Sequence, residues 1–76
     1  MDYSYIVVQC EERTRNVMAQ LDGTVNKQSL RDAFHIGNDL SISLLRNGIA
    51  LSSTEGSFRL GPNWKKAIFS LNYQKF

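Results

Sequence analysis

The sequence predicts a small α+β domain: an N-terminal strand, three helices, a β-hairpin and a C-terminal helix. Three features carry that reading. Residues 3–10 are rich in aromatic and β-branched side chains, the composition of a strand. Two later stretches repeat apolar residues at i, i+3, i+4 and i+7, the stripe of an amphipathic helix. Residues 38–51 form the most apolar internal run and contain the sharpest turn signal, Asn47-Gly48.

In the N-terminal strand, residues 1–10, Tyr3, Tyr5 and Val7 share one face, and Ile6, Val8 and Cys10 share the other. Both faces are apolar. The strand is therefore expected to be covered or to pair with another chain, and Tyr3 to Val8 is a candidate homodimer strand. Next, Thr14, Val17, Met18 and Leu21 make a helical stripe. Glu11 and Glu12 suit the positive end of that helix, and Gly23 suits its left-handed stop. Asn26 is placed as the N-cap of a second helix over residues 27–35, with Val25 and Leu30 spaced for a hydrophobic staple. Leu30, Ala33 and Phe34 would face inward, and Lys27, Gln28, Arg31 and Asp32 outward.

Residues 38–51 admit two forms. As a helix, Asn38 caps it, Leu40, Leu44 and Leu45 share a face, and Gly48 ends it. As a hairpin, Leu40, Ile42 and Leu44 alternate with Ser41 and Ser43 at period two, and Asn47-Gly48 is the preferred two-residue turn. The helix is the leading expectation, because of the elements around it. The alternative fold is an α+β domain with a three-stranded β-meander over residues 40–60. Beyond this stretch, residues 50–60 read as a hairpin around Thr54-Glu55-Gly56-Ser57. Pro62 then opens a last helix to about residue 72, with Trp64, Ala67, Ile68 and Leu71 at helical spacing. Residues 72–76 are expected as a frayed tail.

The 76 residues make one domain, 1–76, near the lower size limit for an unstapled core. The single cysteine, Cys10, leaves no internal disulfide, and one cysteine with one histidine cannot build a Cys/His zinc site. No metal and no cofactor are expected. No run reaches the ~20 apolar residues of a membrane helix. The N-terminal apolar run is too short for a signal peptide, so a cytoplasmic protein with no membrane partner is expected. The net charge of +2 is uneven. Residues 1–55 hold five basic and seven acidic side chains, and residues 56–76 hold Arg59, Lys65, Lys66 and Lys75 with no acid. A basic end of this kind meets phosphate or an acidic protein.

From Arg15 onward the order of elements resembles the winged helix-turn-helix superfamily, over residues 16–68. Residues 17–23 are similar to its first helix, and residues 30–37 to its second helix and turn. Residues 44–51 look like the end of a third helix running into a wing. Residues 58–66 look like the wing's return strand and the following helix. The segment from Gly37 to Gly48 is shorter than the usual third helix of that superfamily, and its outward positions, Asp39, Ser41, Ser43 and Arg46, are poorly basic.

The resemblance implies a small DNA-binding transcriptional regulator with double-stranded DNA as its partner. Asn38, Ser41, Ser43 and Arg46 would enter the major groove, where Arg reads guanine and Asn reads adenine. Lys27, Gln28 and Arg31 would clamp the backbone, and Arg59, Lys65 and Lys66 would touch phosphates nearby. The alternative is a non-catalytic protein-binding adaptor or inhibitor acting on a larger cellular machine through the basic end or the N-terminal strand. Catalysis is not expected. His35 has no nucleophile or carboxylate motif beside it, and Cys10 lies among apolar residues as a small hydrophobe.

Overall fold

A computed structural model describes residues 4–54 and 56–75. Within them the chain is mostly β, with eight strands in two sheets and one helix. β1 (Tyr5–Cys10) turns at Glu11 and Glu12 into β2 (Arg13–Met18), pairing from Cys10↔Arg13 to Tyr5↔Met18. β3 (Thr24–Asn26) leads directly into α1 (Lys27–Phe34). β4 (Leu40–Arg46) and β5 (Ile49–Ala50) flank Asn47-Gly48. β6 (Ser53–Thr54) and β7 (Ser57–Arg59) form a second small hairpin, and β8 (Ile68–Lys75) ends the described chain.

The larger sheet has the order β2-β1-β8-β4-β5, and the smaller one β3-β7-β6. β1 lies inside the larger sheet, antiparallel to β2 and parallel to β8. The inward row of that sheet is Ile6, Val8 and Cys10 from β1, Val17 from β2, Phe69 and Leu71 from β8, and Ile42 and Leu44 from β4. All are buried. Leu30 and Phe34 of α1 join them, with Val25, Phe58 and Leu60 from the smaller sheet and its exit. The helix and the small sheet therefore cover one face of the large sheet.

The helix forms where its capping residues place it. The Asn26 side chain accepts from the Gln28 N–H at 2.7 Å, and the staple pair Val25 and Leu30 is fully buried. His35 closes it in the left-handed conformation, its N–H donating to the Arg31 carbonyl.

The other expected helices are corrected. The winged helix-turn-helix, with its third helix and C-terminal helix, is absent, and only α1 is helical among the described residues. The stripe Thr14, Val17, Met18, Leu21 is not a buried face: Met18 is 59% exposed and Leu21 83%. Thr14, Val17 and Met18 instead lie in β2, where only Val17 of the three turns into the core, and Leu21 lies beyond the strand. Residues 62–67 are loop, and the expected last helix gives way to β8, with Phe69 and Leu71 inward and Ser70 and Asn72 outward. Residues 72–75, expected as a frayed tail, pair with β4 from Leu40↔Lys75 to Ser43↔Asn72.

Residues 40–51 are the hairpin. Asn47 (φ 54°) and Gly48 (φ 77°) both take the left-handed backbone of a two-residue primed turn. The three-stranded meander over residues 40–60 does not form either, because β5 pairs with β4 in the large sheet and β6 pairs with β7 in the small one.

Candidate functional site

The residues expected to bind DNA do not converge. Arg46 projects from the inward row of β4. Its guanidinium donates to the carbonyls of Leu60 (3.1 Å), Pro62 (2.7 Å) and Asn63 (3.2 Å), and lies over the Phe69 ring. It is a bracket for the loop after β7, with three of its donors turned to backbone carbonyls. Arg31 is spent similarly, on the Gly37 carbonyl at 2.6 Å. Gln28 binds Asp32, and Lys27 lies over the Phe58 ring at 5.2 Å. Asn38 is exposed in the turn before β4, and Arg59 is exposed on β7. Lys65 and Lys66 are exposed in the loop before β8, with Lys65 beside Trp64. Ser41 and Ser43 stand on β4, on the face opposite to Arg46. With no recognition helix to carry them, Asn38, Ser41, Ser43 and Arg46 share no groove-facing surface.

Elsewhere the chemistry is quiet. Burial pushes the Cys10 thiol up from its ordinary pKa, against the opposing pull of Arg13, so the nucleophilic thiolate is disfavoured. Tyr73 donates its hydroxyl to Glu11 Oε1, and that hydrogen bond raises the phenol's pKa. Among the described residues, no three His, Cys, Asp or Glu side chains gather as metal ligands. His35 is exposed at the helix end. Among the same residues, no helix is long and apolar enough to cross a membrane.

What the fold does assemble is the outer face of the large sheet. β1 contributes Tyr5, Val7 and Gln9, and across from them β2 places Met18, Asn16 and Thr14. On the other side β8 contributes Ile68, Ser70, Asn72 and Gln74. β4 follows with Leu45, Ser43 and Ser41, and β5 with Ala50. None of these side chains is charged, although 21% of the chain is. Ile68 is 60% exposed and lies beside Val7 in the parallel register, with Met18 opposite Tyr5. A shallow depression of about 270 Å³ crosses the β8, β4 and β5 side, lined by Ser41, Ser43, Leu45, Ala50, Asn72, Tyr73 and Gln74.

The expected homodimer strand acquires a different geometry here. Over Val7–Gln9 both strand edges are occupied, by β2 and β8. What β1 can offer another chain is its outward side chains, Tyr5 and Val7. Tyr3 lies outside the described residues. The signal for this face was present in the sequence. Ile68, Ser70, Asn72 and Gln74 alternate with Phe69, Leu71 and Tyr73, just as Ser41 and Ser43 alternate with Leu40, Ile42 and Leu44.

Fold and site together define a small two-layer β-rich domain with one covered and one open, uncharged sheet face. Comparison with family models, with curated proteins and with solved structures gave no match to this chain.

Proposed function

We propose that this is a non-catalytic protein-binding module, an adaptor or inhibitor that docks through the outer face of its large sheet. The observation that carries the reading is the absence of charge across five neighbouring strands, with Ile68, Met18, Val7 and Tyr5 contiguous at one end. Docking on such a face desolvates no ion, which is the costly part of burying a polar surface. Serine, threonine, asparagine and glutamine side chains there can trade water for hydrogen bonds with a partner. DNA binding is supported less well, since it requires several cations on one surface, and Arg46 and Arg31 are engaged with backbone carbonyls.

The test pairs two measurements. A photo-reactive side chain placed at Ser70 should give protein adducts in the cells of origin, and the same group at Gln28 on the helix should not. Generic duplex DNA at ~50 mM salt should not bind micromolar protein, a condition where non-specific phosphate contacts register. Salt-sensitive DNA binding with no adduct from Ser70 would overturn the proposal.

A further inference from the structure

We infer that the open edge of β4, over Leu40–Ser43, takes an extended, uncharged segment of a partner protein as an added antiparallel strand. The site borders the outward face read above as a docking surface. It uses main-chain groups in place of that face's side chains, so the two readings fail separately.

β4 is longer than the strand beside it. It pairs with β8 over Leu40–Leu45 on one side, and with β5 only at Leu45 and Arg46 on the other. Arg46 and Ile49 close the two-residue turn, and farther along the Leu51 N–H donates to the Leu44 carbonyl at 2.9 Å. Main-chain groups alternate in direction along an antiparallel strand, so Leu40 and Ile42, like Leu44, turn theirs away from β8. Past Leu51 the chain leaves for the small sheet, where Ser53 pairs with Phe58. Among the described residues no strand then stands opposite Ile42 and Leu40. The Leu40 N–H is used on the Gly37 carbonyl at 3.3 Å. The Ile42 N–H, the Ile42 carbonyl and the Leu40 carbonyl are left facing the edge, in the row that a ladder uses.

The other edges are blunted. β2, at the far side of the large sheet, carries Arg13 and Arg15, and charged side chains are a usual protection of an exposed edge. β5 and β6 are two residues long and β3 three, too short to template a partner. The stretch Leu40-Ser41-Ile42-Ser43 has no charge and no proline, and its pairing with β8 runs without a bulge.

Side chains set the pattern of the occupant. Ile49 lies opposite Arg46 and Leu51 opposite Leu44, in the column next to β4. A residue placed opposite Ile42 continues that column on the inward face. It meets buried Ile42 and half-buried Leu40 and Leu51, so an apolar side chain is favoured. Its two neighbours in the segment turn outward beside Ser41 and Ser43, at the rim of the shallow depression. A charge there would lose water without gaining a counter-ion, since Asp39 precedes the strand, Lys75 pairs with Leu40, and neither lines the depression. The occupant is thus an extended stretch with one β-branched or aromatic residue between uncharged polar ones. So short a contact makes a weak, reversible complex.

Amide hydrogen exchange of the purified chain, followed by NMR, is the first measurement. The Ile42 amide should exchange about tenfold or more faster than those of Ser41 and Ser43, which face β8. A displayed library of random short peptides should then yield segments of the stated pattern. N-methylation of the apolar residue in a selected peptide removes its donor to the Ile42 carbonyl, and should weaken binding about tenfold or more. N-methylation of either neighbour, whose N–H points away from β4, should leave affinity within about twofold. Saturating peptide should slow exchange at Ile42. A slowly exchanging Ile42 amide in the free chain, no enriched peptide, or equal effects of N-methylation at all three positions would each overturn the added strand. Ser70 adducts without an edge-binding peptide leave the docking face standing and remove the edge. An edge-binding peptide without Ser70 adducts removes the face and leaves the edge.

Discussion

The two faces of the large sheet are made by alternate residues of the same strands, and they obey opposite rules. In β8, Phe69 and Leu71 are buried, while Ile68, Ser70 and Asn72 between them are exposed. In β4, Ile42 and Leu44 are buried and Ser43 is exposed. The inward row is held by shape, since its buried residues share one close-packed core with Leu30 and Phe34 of α1 and with Val25 and Phe58 of the small sheet. The outward row is held by backbone ladders and by the Ser41 hydroxyl, which donates to the Gln74 carbonyl, so most of its side chains are free to serve another purpose. Stability and function are thus separated by a single residue step along each strand.

The largest test of that separation is a pair of adjacent substitutions. Phe69 is among the bulkiest fully buried side chains, and its ring also receives the Arg46 guanidinium. Phe69→Ala should cost ~3–5 kcal/mol in chemical denaturation, from lost burial plus the cavity left behind. Ser70→Ala, one position on, should stay within ~0.5 kcal/mol. A Phe69→Ala cost under ~1 kcal/mol would mean that the helix and small sheet do not close tightly on β8.

A middle-sized effect is expected at Arg46, the one cation on the inward row of β4. Its three carbonyl contacts tie the loop after β7 to the large sheet. Arg46→Ala should lose about 2 kcal/mol, since carbonyls at a partly buried site lose a charged donor. Arg46→Lys should recover only part of this, because an ammonium cannot reproduce a planar fork across three acceptors. Equal stability of the alanine and lysine variants would show that the aliphatic stem over Phe69 matters more than the donors.

The helix α1 was legible because its signals were local: the Asn26 cap, the Val25 and Leu30 staple, and the Leu30 and Phe34 stripe. The N-terminal strand was legible from composition, and the small hairpin around Gly56 from its turn. The large sheet was not, because its pairings join residues as distant as Val7 and Ile68, and no local pattern reports such a partner. Where helical and alternating spacings both fit, at residues 14–21 and 64–71, the helical one carried the reading. Tertiary pairing decided otherwise. The alternation at residues 68–74 was nonetheless visible, and the uncharged face follows from it. The loss of Arg46 from the candidate site was not visible, since its three carbonyl acceptors lie 14 to 17 residues away.

The smallest expected effect has the opposite sign. Ser4 continues the inward row of β1 ahead of Ile6, Val8 and Cys10. It is 3% exposed, and its hydroxyl finds no hydrogen-bond partner among the described residues. A buried, unsatisfied hydroxyl costs on the order of 1 kcal/mol or more, whereas the methyl of alanine fits the same volume without that penalty. Ser4→Ala should therefore raise the unfolding free energy by up to ~1 kcal/mol. Ser43→Ala, on the exposed outward row of β4, should shift it by less than ~0.5 kcal/mol in either direction. If Ser4→Ala instead destabilises the chain, its hydroxyl has a partner and the inward row tolerates polarity. The rule separating the two faces would then be hydrogen-bond satisfaction at each position, with apolar character only its commonest form.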